Sequence, residues 1–227
     1  MAFTDAPRLA PRSGQAKQLV VLLHGLGADG RDLIDLGHQW QEWLPDAAFV
    51  APHAPDPCDG MPIGRQWFPL TFRDPGEFWR GVTYAAPGLD AFLKAELARF
   101  GLPASKLALV GFSQGAMMAL HVGLRRTKAP AAIVGYSGLL VLEHGKGAES
   151  LGAALRSKPP ILLVHGDRDE VVPVEMFFFS REALASAGVP CQWHLSPGVG
   201  HGIDGEALRQ GGLFLVQAFG LPYPNKS

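Results

Sequence analysis

Apolar positions along the chain fall into short unbroken runs separated by stretches with helical period. The first secure run is 19–23, Leu-Val-Val-Leu-Leu, and it ends in the glycine-rich turn His24-Gly25-Leu26-Gly27-Ala28-Asp29-Gly30. A continuous run of that length suits a strand buried on both faces. The pattern then predicts a helix over 32–44 and a short strand over 47–51, which Pro52 stops. A helix over 88–100 would carry Leu89, Phe92, Leu93, Leu97 and Phe100 on one face. Further strands are predicted at 107–110, 131–136, 161–165 and 191–195, with helices at 116–122, 174–187 and 206–219. Between the early and late elements, 53–87 loses all period and fills with Pro, Gly and aromatic residues. A loop of that length in a compact domain is usually functional.

Short apolar strands alternating with helices imply an α/β fold, with a mostly parallel sheet sandwiched between helices on both faces. Right-handed crossovers gather the loops at the strand C-termini along one edge, and the turns at His24, Ser113 and His165 all belong to that edge. With no internal repeat and no linker, residues 1–227 read as one domain.

Composition narrows the class. The chain has 227 residues, 47% of them hydrophobic, and a formal net charge of −1, which is ordinary for a globular enzyme. Lys and Arg are scattered, so no nucleic-acid partner is expected. No apolar run reaches the length of a membrane span or a signal peptide. Cys58 and Cys191 lie far apart; free thiols of a reducing compartment are the preferred reading, and one structural disulfide between them is the alternative. The expected location is the cytoplasm.

Chemistry concentrates at Gly111-Phe112-Ser113-Gln114-Gly115, set between the strand at 107–110 and an apolar helix. A buried strand that ends in Gly-x-Ser-x-Gly and runs into a helix is a nucleophile elbow, and the helix N-terminus points amides at a developing oxyanion. A serine hydroxyl needs a base, and the base needs an orienting acid. Eight histidines compete. His24 and His165 end strands directly and read as structural, and His194 lies inside a strand. His201, in Pro197-Gly198-Val199-Gly200-His201-Gly202 between the last strand and the last helix, is the expected base. The turn Asp167-Arg168-Asp169-Glu170 offers the acid. Asp167 follows the strand end and should brace the turn through backbone amides, whereas Asp169 projects later, towards the edge.

The set Leu23-His24-Gly25-Leu26-Gly27, Gly111-Phe112-Ser113-Gln114-Gly115, His165-Gly166-Asp167-Arg168-Asp169-Glu170-Val171-Val172-Pro173 and Gly198-Val199-Gly200-His201 resembles the phospholipase/carboxylesterase family of α/β-hydrolases, which includes acyl-protein thioesterases. The resemblance runs from about Lys17 to Phe219. It implies an α/β-hydrolase without a large cap domain, a triad of Ser113, His201 and Asp169, and an oxyanion hole at the amides of Leu26 and Gln114. Arg65-Gln66-Trp67-Phe68-Pro69 and Glu77-Phe78-Trp79-Arg80 look more like bacterial members than eukaryotic thioesterases.

The expected activity is therefore a cofactor-free, metal-free carboxylesterase acting on short- to medium-chain acyl esters, thioesters or lysophospholipids. Ile63, Trp67 and Phe68, with Met61, Leu70, Phe72, Phe78 and Trp79 nearby, would form a wall of the acyl groove; the alternative is a loop packed on its own small core. Two other readings compete with this one. A non-catalytic binding protein on the hydrolase fold is argued against by the intact serine, acid and base. A dinucleotide loop at His24-Gly25-Leu26-Gly27 fails because the glycine spacing is wrong. The partner expected is a small-molecule acyl ester, with monomer or homodimer left open.

Overall fold

The computed structural model describes residues 6–224, apart from 59, 60, 62, 72 and 75. In chain order the elements are β1 (Arg8–Leu9), β2 (Gln18–Leu23), α1 (Gly30–Trp40), β3 (Ala47–Val50), β4 (Asp56–Pro57), β5 (Arg65–Gln66) and α2 (Glu77–Phe100). They continue with β6 (Leu107–Phe112), α3 (Gln114–Arg125), β7 (Ala132–Tyr136), α4 (Ser150–Ala154), β8 (Ile161–Gly166), α5 (Val174–Ser186), β9 (Cys191–Ser196) and α6 (Gly205–Ala218).

Each unbroken apolar run becomes a strand because both of its faces are covered. Along β2, Leu19, Val21 and Leu23 enter one core cluster and Val20 and Leu22 the other. The strand order is β1-β3-β2-β6-β7-β8-β9, parallel throughout except for the antiparallel pair β1 and β3. Helices α2, α3, α4 and α5 contribute side chains to the first cluster, and α1 and α6 to the second. This is the mostly parallel, doubly covered α/β sheet that the alternation of runs predicts. No separate cap layer is built among the described residues.

Three expectations need correction. The helix expected from 88 begins at Glu77 and contains Pro87. Its start is set locally: Asp74 Oδ1 accepts from the Gly76 amide at 2.8 Å, and Glu77 in the first turn receives the Thr71 amide and hydroxyl at 2.8 and 2.9 Å. Proline lacks an N–H and so removes the helical bond to the Thr83 carbonyl, but Thr83 and Pro87 are both exposed, where water can satisfy that carbonyl. Buried Val82 and Ala85 meanwhile extend the apolar stripe back through the proline. Secondly, the strand expected over 191–195 is β9, which runs one residue further, to Ser196, as an edge strand with Gln192 and Trp193 exposed. Thirdly, the helix expected over 32–44 is α1, which starts at Gly30 on the Asp29 side-chain cap and ends at Trp40, where the indole N–H bonds the Leu208 carbonyl at 3.0 Å. The short pieces β1, β4, β5 and α4 carry no periodic signal in the sequence.

Candidate active site

From β2 the chain goes out through α1 to β3 on one side, then returns to β6 on the other. Ligand sites in such sheets lie at this switch point, at the carboxyl ends of the strands. Leu23 and Gly111 are the last registered pair of β2 and β6, so the 24–30 turn and the Ser113 turn leave the sheet side by side.

Ser113 has φ 52° and ψ −118°, a backbone conformation that side chains other than glycine rarely adopt. Its amide is anchored to the Tyr136 carbonyl at 2.9 Å. The flanking glycines are required by close approach. A Cβ at Gly115 would lie 1.9 Å from the Leu23 carbonyl oxygen, and one at Gly111 would lie 2.3 Å from that of Gly115. Strand, turn and helix can pass this closely only without side chains at those two positions.

Acid and base come from the loops after β8 and β9. Asp169 is 7% exposed. Its Oδ1 accepts from the Val171 and Val172 amides, each at 2.9 Å, and its Oδ2 accepts from His201 Nδ1 at 2.8 Å. Burial alone would push this carboxyl up, but the His201 bond and the two amides outweigh it and hold it below the ordinary aspartate range. An ionised carboxylate can only accept, so Nδ1 of His201 carries the proton and Nε2 keeps a free lone pair. The Phe112 ring, one residue before Ser113, packs on the His201 ring with centroids 4.8 Å apart and so holds the imidazole against the elbow.

Asp167 has a different position. Its Oδ1 accepts from the Gly198 amide at 2.6 Å, and Arg168 N bonds the Val199 carbonyl at 2.9 Å, so this residue pair ties the Asp169 loop to the His201 loop. His165 is buried and bonds the Val172 carbonyl at 2.8 Å through Nε2, which also lies 3.4 Å from Asp169 Oδ2. The sequence did not reveal that Asp169 itself braces its turn through two amides as well as facing His201.

Leu26 lies in the turn after β2 and Gln114 is the first residue of α3. Neither backbone amide has an acceptor among the described residues. The surrounding groups, by contrast, are closely engaged. Gly27 N bonds the Arg65 carbonyl and Arg65 N the Ala28 carbonyl, both at 2.9 Å. Arg65 also donates to the Ala54 and Pro55 carbonyls at 2.8 and 3.1 Å. The buried Gln114 side chain accepts from Trp67 N at 2.8 Å and donates to the Phe68 carbonyl at 2.7 Å. The Trp67 indole donates to the His24 carbonyl at 2.8 Å. The buried His24 ring accepts from the Ala54 amide through Nε2 at 2.9 Å, so its Nδ1–H donates to the Gly25 carbonyl at 2.7 Å. Desolvation lowers its pKa to about 4, against the opposing Gly25 bond and Asp29, so the ring is neutral.

These bonds correct the reading of the aromatic segment. Trp67 and Phe68 are 0% exposed and offer no surface to a ligand; they underpin the turn between β2 and α1. Ile63, at 78% exposure, and Met61 do lie at the surface, and Met61 Sδ covers Gly27 so closely that a Cβ there would be 2.6 Å away. Phe78 packs against the core. Trp79 meets His121 edge-on at 5.4 Å, about two helical turns beyond Ser113. Phe72 lies outside the described residues. Signals for Arg65, His24 and the Gln114 side chain were absent from the local sequence, because each acts across 10 or more residues. Among the described residues no group of three His, Cys, Asp or Glu side chains is placed to hold a metal ion, and no helix is long and apolar enough to cross a membrane.

The phospholipase/carboxylesterase family matches residues 5–217. Acyl-protein thioesterase 1 of Gibberella zeae is 27% identical over 224 residues, covering 92% of this chain and 94% of that one. Esterase YpfH of Escherichia coli is 29% identical over 194 residues, covering 86% and 80%. Among solved structures, esterase PE8 superposes with a TM-score of 0.88 at 47% identity, covering 94% of this chain and 98% of that one. Arabidopsis thaliana SOBER1 superposes at 0.78 with 25% identity, covering 89% and 99%.

Proposed function

The chain belongs to the phospholipase/carboxylesterase family of carboxylic ester hydrolases, and we propose that it is a serine carboxylesterase for short- to medium-chain acyl esters, working through Ser113, His201 and Asp169. In this reading Ser113 Oγ attacks the acyl carbonyl while His201 Nε2 takes its proton and passes it to the leaving alkoxide. Water then attacks the acyl-enzyme, with the same imidazole as base, and releases the acid and Ser113. Asp169 fixes the imidazole tautomer. The amides of Leu26 and Gln114 receive the oxyanion, each donor contributing about 3 kcal/mol in sites of this type.

The observation that carries the reading is the 2.8 Å bond from His201 Nδ1 to buried Asp169, because it directs that nitrogen to the acid on a ring that packs against Phe112, the residue before the strained Ser113. Ser113→Ala and His201→Ala should each lower kcat by at least about a thousandfold, and the double variant little further, since triad members act as a unit. Additive losses, or activity retained in either single variant, refute the assignment, as does a failure of the chain to label with a fluorophosphonate.

A second reading, thioester cleavage, is favoured by the name of the Gibberella relative, and lysophospholipid cleavage by the phospholipase in the family's description. The higher identity to esterase PE8 puts oxygen esters first. Matched ester and thioester series with one acyl chain separate the two. The proposal takes residues 1–227 as one domain, supported by a central sheet that recruits elements from both halves of the chain. It also places the reaction in the cytoplasm, supported by free thiols at Cys58 and Cys191.

A further inference from the structure

Helix α3 begins at the candidate nucleophile and ends, about 18 Å away along its axis, at a groove it shares with α2 and the loops that follow both helices. The groove encloses about 790 Å³. Its floor is apolar, built from residues such as Leu97, Leu102 and Val122. Its rim is cationic: Lys94, Arg125, Arg126 and Lys128 face a single carboxylate, Asp90.

Asp90 does not neutralise that rim. It is shared between Lys94, at 2.7 Å, and Arg126, which leaves Arg125 and Lys128 with no carboxylate partner among the described residues. Arg125 stacks over Trp79 at 5.3 Å and donates to the His121 carbonyl at 3.0 Å, a neutral acceptor. Among the described residues, two nitrogens behind the groove are buried with no hydrogen-bond partner: Nε of Arg126, whose side chain is only 9% exposed, and Nδ1 of His121. A buried N–H without an acceptor is costly, and a guanidinium can never relieve the cost by losing its proton. Excess positive charge on the rim and an apolar floor in one groove suit an anion with an apolar tail.

We propose that the groove between α2 and α3 binds a medium-chain carboxylate, its headgroup at Arg125, Arg126 and Lys128 and its chain along the apolar floor. The acid released by ester hydrolysis has this chemistry, and only in naming that source does the proposal rest on the esterase reading. Such a site would let accumulated product reach the far end of the helix that carries Ser113.

The test is calorimetric titration of sodium octanoate, below its micelle-forming concentration, into the full chain after the nucleophile is blocked with a fluorophosphonate. We expect saturable binding of one octanoate, with octanol and acetate each about tenfold weaker. Arg125→Gln should weaken octanoate about tenfold. Because Arg125→Gln removes packing on Trp79, two surface variants stand beside it: Lys128→Gln, which removes the exposed charge, and Ala98→Phe, which adds bulk at the rim. Each should weaken octanoate while leaving the fold intact by circular dichroism. No saturable binding overturns the proposal. So does octanol binding as tightly as octanoate, or octanoate affinity unchanged in folded Lys128→Gln and Ala98→Phe. A chain that resists the fluorophosphonate defeats the esterase reading instead, and the same variants titrated unblocked still decide the groove.

Discussion

Two neutral, buried histidines should make this protein lose stability well above the pH at which carboxylates protonate. Burial lowers the pKa of His24 to about 4, with His53 and Arg65 also acting against the charge while the Gly25 bond and Asp29 oppose the change. Burial lowers that of His121 to about 3, helped by the Arg125 charge. In the unfolded chain both return to an ordinary histidine value of about 6.5. Between that value and the folded pKa the unfolded state binds more protons, so stability is complete above about pH 6.5 and falls as the pH drops. With about 1.36 kcal/mol for each pH unit separating the folded from the unfolded pKa, His24 accounts for about 3 kcal/mol and His121 for about 5, a large part of a typical total of about 5–15 kcal/mol. Urea unfolding from pH 7.5 down to 4.5, in buffers free of carboxylates, should show a slope near about 2.7 kcal/mol per pH unit below pH 6, corresponding to two protons. His121→Leu removes one titrating group whose Nδ1 has no partner, so the slope should halve while stability at pH 7.5 holds or rises. A flat wild-type profile, or a slope that His121→Leu leaves unchanged, would refute the argument.

The two aspartates of the β8 loop should separate by phenotype. In Asp169→Asn the amide oxygen can still accept from Val171 and Val172, but its N–H₂ faces His201 Nδ1 and favours the wrong tautomer, so kcat should fall at least about a hundredfold at nearly constant Tm. Asp167→Asn loses the charge in its bond to Gly198 and should lower Tm by about 2–4 °C with kcat nearly unchanged; exchanged phenotypes in a paired melt and rate assay would mean the acid is Asp167. Trp67→Ala empties a wholly buried site and should cost about 3–5 kcal/mol in urea unfolding, whereas Ile63→Ala, at an exposed position, should leave stability unchanged and alter only the dependence of kcat/KM on ester chain length. Gln114→Leu removes the side-chain bonds to the Trp67 amide and Phe68 carbonyl and should cost about 2–4 kcal/mol by the same measurement.

What was legible in the chain is what short-range physics encodes. Continuous apolar runs such as 19–23 and 161–165 mark strands covered on both faces, and β2 and β8 are buried throughout. Ser113 was visible because its strained turn demands glycines at two fixed offsets, a steric requirement that leaves a spelling in the sequence. The preference for His201 and Asp169 followed from loop position, and the structure brings that pair into contact. Pro87 misled because a proline reads as a helix stop, while the structure puts it on an exposed face where water can take the place of the missing bond. The aromatic loop misled for another reason. Composition reports that large apolar side chains must be covered by something, but not whether a ligand or the protein covers them. Trp67 and Phe68 are covered by the protein.

That burial bears on why so long a segment precedes α2 at all. An oxyanion site needs amides that point into space with nothing to bond, and a free turn would relax until they found partners. The 24–30 turn cannot relax, because nearly every other group around it is held from outside. Arg65 exchanges bonds with Gly27 and Ala28 and grips the 54–55 backbone, Trp67 takes the His24 carbonyl, and the His24 ring takes the Ala54 amide. Gln114 then joins the same segment to the first turn of α3, so the turns carrying Leu26 and Gln114 share one brace. For the proposed oxyanion hole, fixing both donors relative to each other before substrate arrives is what electrostatic preorganisation requires. Under the proposed esterase reading, Ala54, Pro55, Arg65, Trp67 and Phe68 would serve catalysis chiefly through bonds that fix backbone atoms of the two turns. The exposed residues of the segment, Met61 and Ile63 among them, are then free to vary with the acyl chain without disturbing the donors.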